Sequence, residues 1–120
     1  MIDPIKLQAE LNDFTGSEQL FYNPLFRNFR YTEGVKYLAQ EANCYWLLDY
    51  IFSNQSSEAL KQTPFQVWKL RVAKDNTATI SVEDGNYNQV KLFKLEFTDF
   101  PLEQIDLWFI EGTLILPSEY

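Results

Sequence analysis

At 120 residues, 46% hydrophobic and 17% aromatic, the chain carries core material for a single domain over residues 1–120 and too many apolar groups for a linker or a disordered tail. It has no histidine and one cysteine, Cys44, which excludes an internal disulfide, imidazole-built zinc sites and triads with a histidine base. The net charge of −7 is lopsided: Met1–Lys74 is neutral, whereas Asp75–Tyr120 holds nine acidic residues against Lys91 and Lys94, and an acidic half that repels phosphate argues against direct nucleic-acid binding.

The opening Met1-Ile2-Asp3-Pro4 lacks a basic segment followed by an apolar run, and no stretch approaches the roughly 18 apolar residues of a spanning helix. A cytoplasmic protein without membrane contact is expected. Asp3 as N-cap and Pro4 in the first turn predict a helix carrying Ile5, Leu7, Ala9 and Leu11, ended by Asn12–Gly16. Ser17–Tyr22 reads as a short helical turn cut off by Asn23-Pro24, and Leu25–Tyr31 receives no assignment. Thr32 predicts the cap of a helix with Val35, Leu38, Ala39 and Ala42 on one face. The apolar phase then shifts near Asn43, so two helices are expected, about Glu33 to Ala42 and Cys44 to Ser53, the alternative being one continuous helix wrapped by core on two sides.

Asn54–Pro64 is a polar connection, after which the period becomes two. Gln66/Trp68/Leu70/Val72 alternate with Val67/Lys69/Arg71, and Ala78/Ile80/Val82 with Thr77/Thr79/Ser81/Glu83, around turns at Asp75-Asn76 and Asp84-Gly85-Asn86. Val90–Thr98 forms a third strand, with Phe93, Leu95 and Phe97 on one side, Lys94 and Glu96 on the other, and Val90 and Leu92 out of step, as a bulge or an edge contact would make them. Leu102–Ile105 reads as a helical turn, and Leu107–Ile110 with Thr113–Leu116 as a last hairpin across Glu111-Gly112. The expected fold is a two-layer α+β domain, N-terminal helices packed on one face of a C-terminal antiparallel sheet, a meander of four to five strands whose other face is wet.

Little in this chain points to chemistry. The four glycines form no phosphate-cradling loop. Asp99/Glu103 and Glu83/Asp84 are candidate acid/base pairs, but a solvated turn explains the second pair and a cap at Asp99 the first. Asp84-Gly85-Asn86-Tyr87-Asn88 lacks the alternating acids and the closing glutamate of a calcium loop. Cys44, inside an apolar run, reads as a buried hydrophobe. No catalytic residue, metal ligand or cofactor is therefore assigned.

Phe26-Arg27-Asn28-Phe29-Arg30-Tyr31, with Lys36, Lys69 and Arg71, interleaves bases and rings as a stacking surface for single-stranded nucleic acid or an anionic ligand would; the plainer reading has the arginines balance nearby carboxylates and packs Phe26 and Phe29 inward. Tyr45, Trp46, Tyr50 and Phe52 cannot all face the core on one short helix if Leu47, Leu48 and Ile51 do, so some rings cover the N-terminal segment or form a contact patch.

Glu10–Glu18, Tyr31–Ala39, Tyr45–Asp49, Phe65–Leu70, Glu83–Asn86, Glu96–Leu102 and Leu116–Tyr120 together resemble a family of small bacterial and phage-associated proteins catalogued as a domain of unknown function. The resemblance spans nearly the whole chain and implies a stand-alone cytoplasmic domain of bacterial or mobile-element origin, with no activity, cofactor or catalytic residue to carry over.

The leading functional expectation is a non-enzymatic accessory or interaction domain whose acidic half or outward rings contact another protein, with steering by charge. The alternative is a small-ligand binding domain with a pocket between helices and sheet at Trp46, Asp49, Tyr50 and Trp68.

Overall fold

The computed structural model describes residues 3–16 and 19–120. Helix α1 (Pro4–Asn12) starts where the side chain of Asp3 accepts a hydrogen bond from the Ile5 amide at 3.0 Å, and it buries Leu7 and Leu11 while Ile5 and Ala9 face outward. Strands β1 (Leu20–Tyr22) and β2 (Arg30–Thr32) then pair antiparallel. The helical turn expected over Ser17–Tyr22 is therefore a strand in its described part; Ser17 and Glu18 lie outside the described residues. Leu-Phe-Tyr is too short for a period to show, and its pairing with β2, itself within the unassigned stretch, decides its conformation.

Thr32 both ends β2 and caps α2 (Glu33–Glu41), its hydroxyl accepting from the Val35 amide at 3.3 Å. The helix stops at Asn43, whose φ of 51° is the left-handed conformation that asparagine tolerates. Helix α3 (Tyr45–Ser53) follows in a new phase, burying Leu47, Leu48, Ile51 and Phe52. The polar connection contains a turn of 3-10 helix at Asn54–Ser56 and the short α4 (Glu58–Lys61), capped by Ser57.

The remaining strands are β3 (Phe65–Val72), β4 (Ala78–Asp84), β5 (Gln89–Leu95), β6 (Gln104–Ile110) and β7 (Thr113–Ile115). A register shift at Val82/Glu83 skips Val90 and lets it pack against the core, whereas Leu92, opposite Ser81, stays on the outer side and is exposed. Glu111 and Gly112, at φ 50° and 82°, turn β6 into β7.

The sheet is not the expected meander. Its order is β1-β2-β7-β6-β3-β4-β5, seven strands among the described residues, with β2 parallel to β7 and the other pairs antiparallel. After β5 the chain crosses the tip of the β3–β4 hairpin: the Thr98 amide donates to the Asn76 carbonyl at 2.8 Å, Phe100 and Leu102 are buried, and the Val72 amide donates to the Glu103 carbonyl at 2.8 Å. That last bond starts the β3–β6 ladder, which draws Gln104 and Ile105 into a strand instead of the helical turn expected at Leu102–Ile105. Nor do the helices precede the sheet, since β1 and β2 lie between α1 and α2.

Side chains of α1, α2 and α3 meet the inward residues Trp68, Leu70, Ile80, Ile105, Leu107, Phe109 and Leu114 in one apolar core. Where that core meets polar atoms, it pairs them. Gln66, 2% exposed, exchanges amide hydrogen bonds with Gln55 at 2.8 Å in each direction, and its Oε1 accepts from Trp68 Nε1 at 2.9 Å. No described helix is long and apolar enough to cross a membrane.

Candidate interaction surface

The four residues expected to line a pocket do not enclose one. Trp68 is 2% exposed and stacks on Phe93 at 6.2 Å between centroids, nearly parallel at 5°, while Tyr50 meets the same Phe93 edge-on at 5.2 Å. Phe93 thus joins Tyr50 to Trp68. Asp49 Oδ1 instead accepts from Asn23 Nδ2 at 2.9 Å, and Asn23 Oδ1 accepts from the amides of Leu25 and Phe26, so the carboxylate anchors the β1–β2 connection. Trp46 is half-buried against the core. Beneath α3, the space bounded by Leu47, Ile51, Trp68, Leu70 and Leu107 has no room for a water molecule, and of the four residues only Trp68 borders it.

The tyrosines and the cysteine of this region are perturbed chiefly by burial. Burial first, then the neighbouring Tyr45 and Asp49, raise the Tyr31 phenol above its ordinary value; burial alone raises Tyr50. Burial pushes the Cys44 thiol from 9.0 up to about 12, and its Sγ lies 3.7 Å from the Leu38 carbonyl. A thiol so placed is a poor nucleophile at neutral pH.

Of the carboxylates weighed as acid/base pairs, Glu83 and Asp84 hold structure together. Glu83 pairs with Lys69 at 3.2 Å. Asp84 Oδ1 accepts from the amides of Asn86 and Asn88, and Asp84 Oδ2 from Asn88 Nδ2, which hold its carboxyl below the usual range and direct its oxygens to its own turn rather than to a cation. Asp99 does not make the cap assigned to it: the Thr98 hydroxyl accepts from the Phe100 amide at 3.2 Å, one residue earlier. Among the described residues no group of three or more acidic or cysteine side chains is clustered as a metal would need.

The basic-aromatic stretch divides between core and surface. Phe29 stacks on Phe52 at 5.6 Å and meets Phe109 edge-on at 5.5 Å, and Phe26 lies 6.4 Å from Phe52, so both rings pack inward. Lys36 sits 4.2 Å over the Phe21 ring, and Arg71 pairs with Asp106 at 2.8 Å. On α3, Phe52 is 1% exposed and Tyr45 is exposed, so the surplus rings of that helix form no broad outward patch.

A second group of rings lies on the outer face of the sheet, opposite the helices that pack on the core side. Strand alternation opposite the core residues places Phe65 and Val67 of β3, Trp108 and Ile110 of β6 and Ile115 of β7 side by side, all half-buried. Phe65 and Trp108 lie 5.4 Å apart, and Tyr120, 78% exposed, packs edge-on against them at 6.0 Å and 5.2 Å. Beyond this strip the same face carries the Lys69–Glu83 and Arg71–Asp106 ion pairs, and Lys94 opposite Thr79. Reading this face as wet overlooked a signal in the run Ile105 to Ile110: apolar Trp108 and Ile110 fall on the phase opposite Leu107 and Phe109, which one buried face cannot satisfy.

No curated protein and no solved structure matches the chain. A family model does match, over residues 5–120, and the chain belongs to that family, described as a family of unknown function (DUF6876).

Proposed function

We propose that the chain is a non-enzymatic accessory domain that receives a partner protein on the outer face of its sheet. The observation that carries this reading is the strip formed by Phe65, Trp108, Ile110, Ile115 and Tyr120 on the face opposite the packed helices. Aromatic and aliphatic side chains ringed by polar groups are the composition of protein interfaces, where buried rings contribute most of the affinity. Lys69 and Arg71 beside the strip are already paired with Glu83 and Asp106, so its apolar area is offered next to charges committed within the molecule.

The rings are favoured over the acidic half as the contact because much of that half is committed within the molecule. Asp75 and Asp84 hold their own turns, Glu83 and Asp106 pair with Lys69 and Arg71, and Glu119 accepts hydrogen bonds at the start of α2. Capture of proteins from a lysate of the native host, at low and at high salt, tests the reading. The same partner is expected at both salt concentrations with the unaltered chain and its loss with Trp108→Glu. Retention by the variant, or capture only at low salt, would count against the outer face.

A further inference from the structure

We infer that the chain has a second, separate recognition site: a vacant strand lane beside the first half of β6 that takes an extended peptide segment from a partner protein. The lane follows from a mismatch in strand lengths. β3 runs alongside β6 from Gln104 to Ile110, but β7 covers its other side only from Trp108 to Ile110. The bond from the Val72 amide to the Glu103 carbonyl sets the alternation, so the peptide groups of Glu103, Ile105, Leu107 and Phe109 point at β3. Those of Gln104, Asp106, Trp108 and Ile110 point the opposite way. β7 meets the last two, and no strand meets the N–H and C=O of Gln104 and Asp106 among the described residues.

The vacancy has a local cause. After Ile115 the chain leaves the sheet through Leu116 into a turn of 3-10 helix at Pro117–Glu119, and Pro117 has no N–H to extend the ladder. That exit puts Glu119 on the start of α2, where its Oε1 accepts from the Thr32 hydroxyl at 2.6 Å. In place of a longer β7 there is a groove of about 210 Å³ bounded by Gln8 and Leu11 of α1, Gln104 and Asp106 of β6, and Pro117 and Ser118. It continues into a second groove of about 450 Å³ past Ile5, Pro101 and Leu102, with Gln8 and Gln104 common to both.

This geometry defines its occupant. Two donors and two acceptors at strand spacing are matched by another extended backbone, as in strand addition to a sheet edge. A residue placed opposite Ile105 would turn inward between the buried Leu11 and Leu116 and needs a small apolar side chain. Residues opposite Gln104 and Asp106 would turn outward beside the Arg71–Asp106 pair and need polar ones. Four residues, Gln104 to Leu107, span roughly 13 Å at strand rise, so the segment is short and reads polar-apolar-polar. The outer edge at β5 has no comparable wall and carries Lys91 and Lys94, the charges that discourage edge pairing.

The test is selection of a random hexapeptide library displayed on phage against the whole immobilised chain, followed by titration of an enriched peptide into the 15N-labelled protein. The largest shifts are expected at the Gln104 and Asp106 amides, with their hydrogen exchange slowed. Methylation of alternate peptide nitrogens should weaken binding by at least about tenfold, the loss of roughly one good hydrogen bond. Gln104→Pro, which removes a lane N–H and leaves the β3 ladder intact, and Gln8→Trp, which fills the groove from the exposed side of α1, should each abolish binding; the second serves if the first fails to fold. Failure to enrich any peptide, or equal binding of the methylated one, would overturn the lane. Shifts confined to Trp108 and Tyr120 would also overturn it, while supporting the outer face as an independent site.

Discussion

One carboxylate, Glu119, joins three parts of the chain. Its Oε1 accepts from the Thr32 hydroxyl at 2.6 Å and the Leu116 amide at 3.0 Å, and Oε2 from the Gly34 amide at 3.3 Å, placing negative charge at the positive end of α2. The approach demands glycine at 34, because a Cβ there would stand 2.6 Å from Leu116 Cδ1 and 2.7 Å from Glu119 Oε1. Gly34→Ala should therefore lower stability by about 1–3 kcal/mol through overpacking, against the usual gain of alanine in a helix, and Glu119→Ala by a similar amount; urea midpoints measure both. Cys44 gives a pH-dependent prediction. Its folded pKa of about 12 exceeds the unfolded 9.0, so the native state holds the proton longer, and this contribution is complete below pH 9 and lost as pH rises from there toward 12. Thermal melts of Cys44→Ala should lack that component of the alkaline decline, and at neutral pH the native thiol should react with a disulfide reagent only as fast as the chain opens.

At the level of elements, local signals in the sequence were read correctly where a short-range rule decides the outcome. Asp3 and Thr32 cap the helices assigned to them, and the phase shift near Asn43 marks a real break between α2 and α3. Asn43→Ala, forced to φ 51°, should cost about 1 kcal/mol, whereas Asn43→Gly should be close to neutral; chemical denaturation separates the two. The signals failed where pairing with a distant strand decides. β1 was read as helix because three residues carry no period, and Leu102–Ile105 as a helical turn because the β3 ladder that straightens it is more than thirty residues away in sequence. Gln66 was placed on the core phase without the partner that makes it tolerable there. Gln66→Leu would remove the partner of the Gln55 amide oxygen and of the Trp68 indole, leaving Gln55 only its bond to the Ile51 carbonyl, and should destabilise by about 2–4 kcal/mol, read as a lowered melting temperature.

On the scale of the whole molecule, an α+β domain with one helix-covered sheet face was legible from the change of period at residue 65. The strand order was not. Alternation states which way a side chain points, not which strand lies beside it, and the return of β6 to β3 with the parallel β2–β7 pair depends on packing that no local window contains. The same limit misplaced the surplus aromatic residues. Sequence alone groups Tyr50 with Trp68; the tertiary fold places Phe93 between them and brings Phe65, Trp108 and Tyr120 together on the outer face of the sheet. Oxidative footprinting of the complex with the captured partner measures that face directly: protection concentrated at Phe65, Trp108 and Tyr120 is the predicted result, and those side chains remaining as reactive in the complex as in the free chain would contradict it.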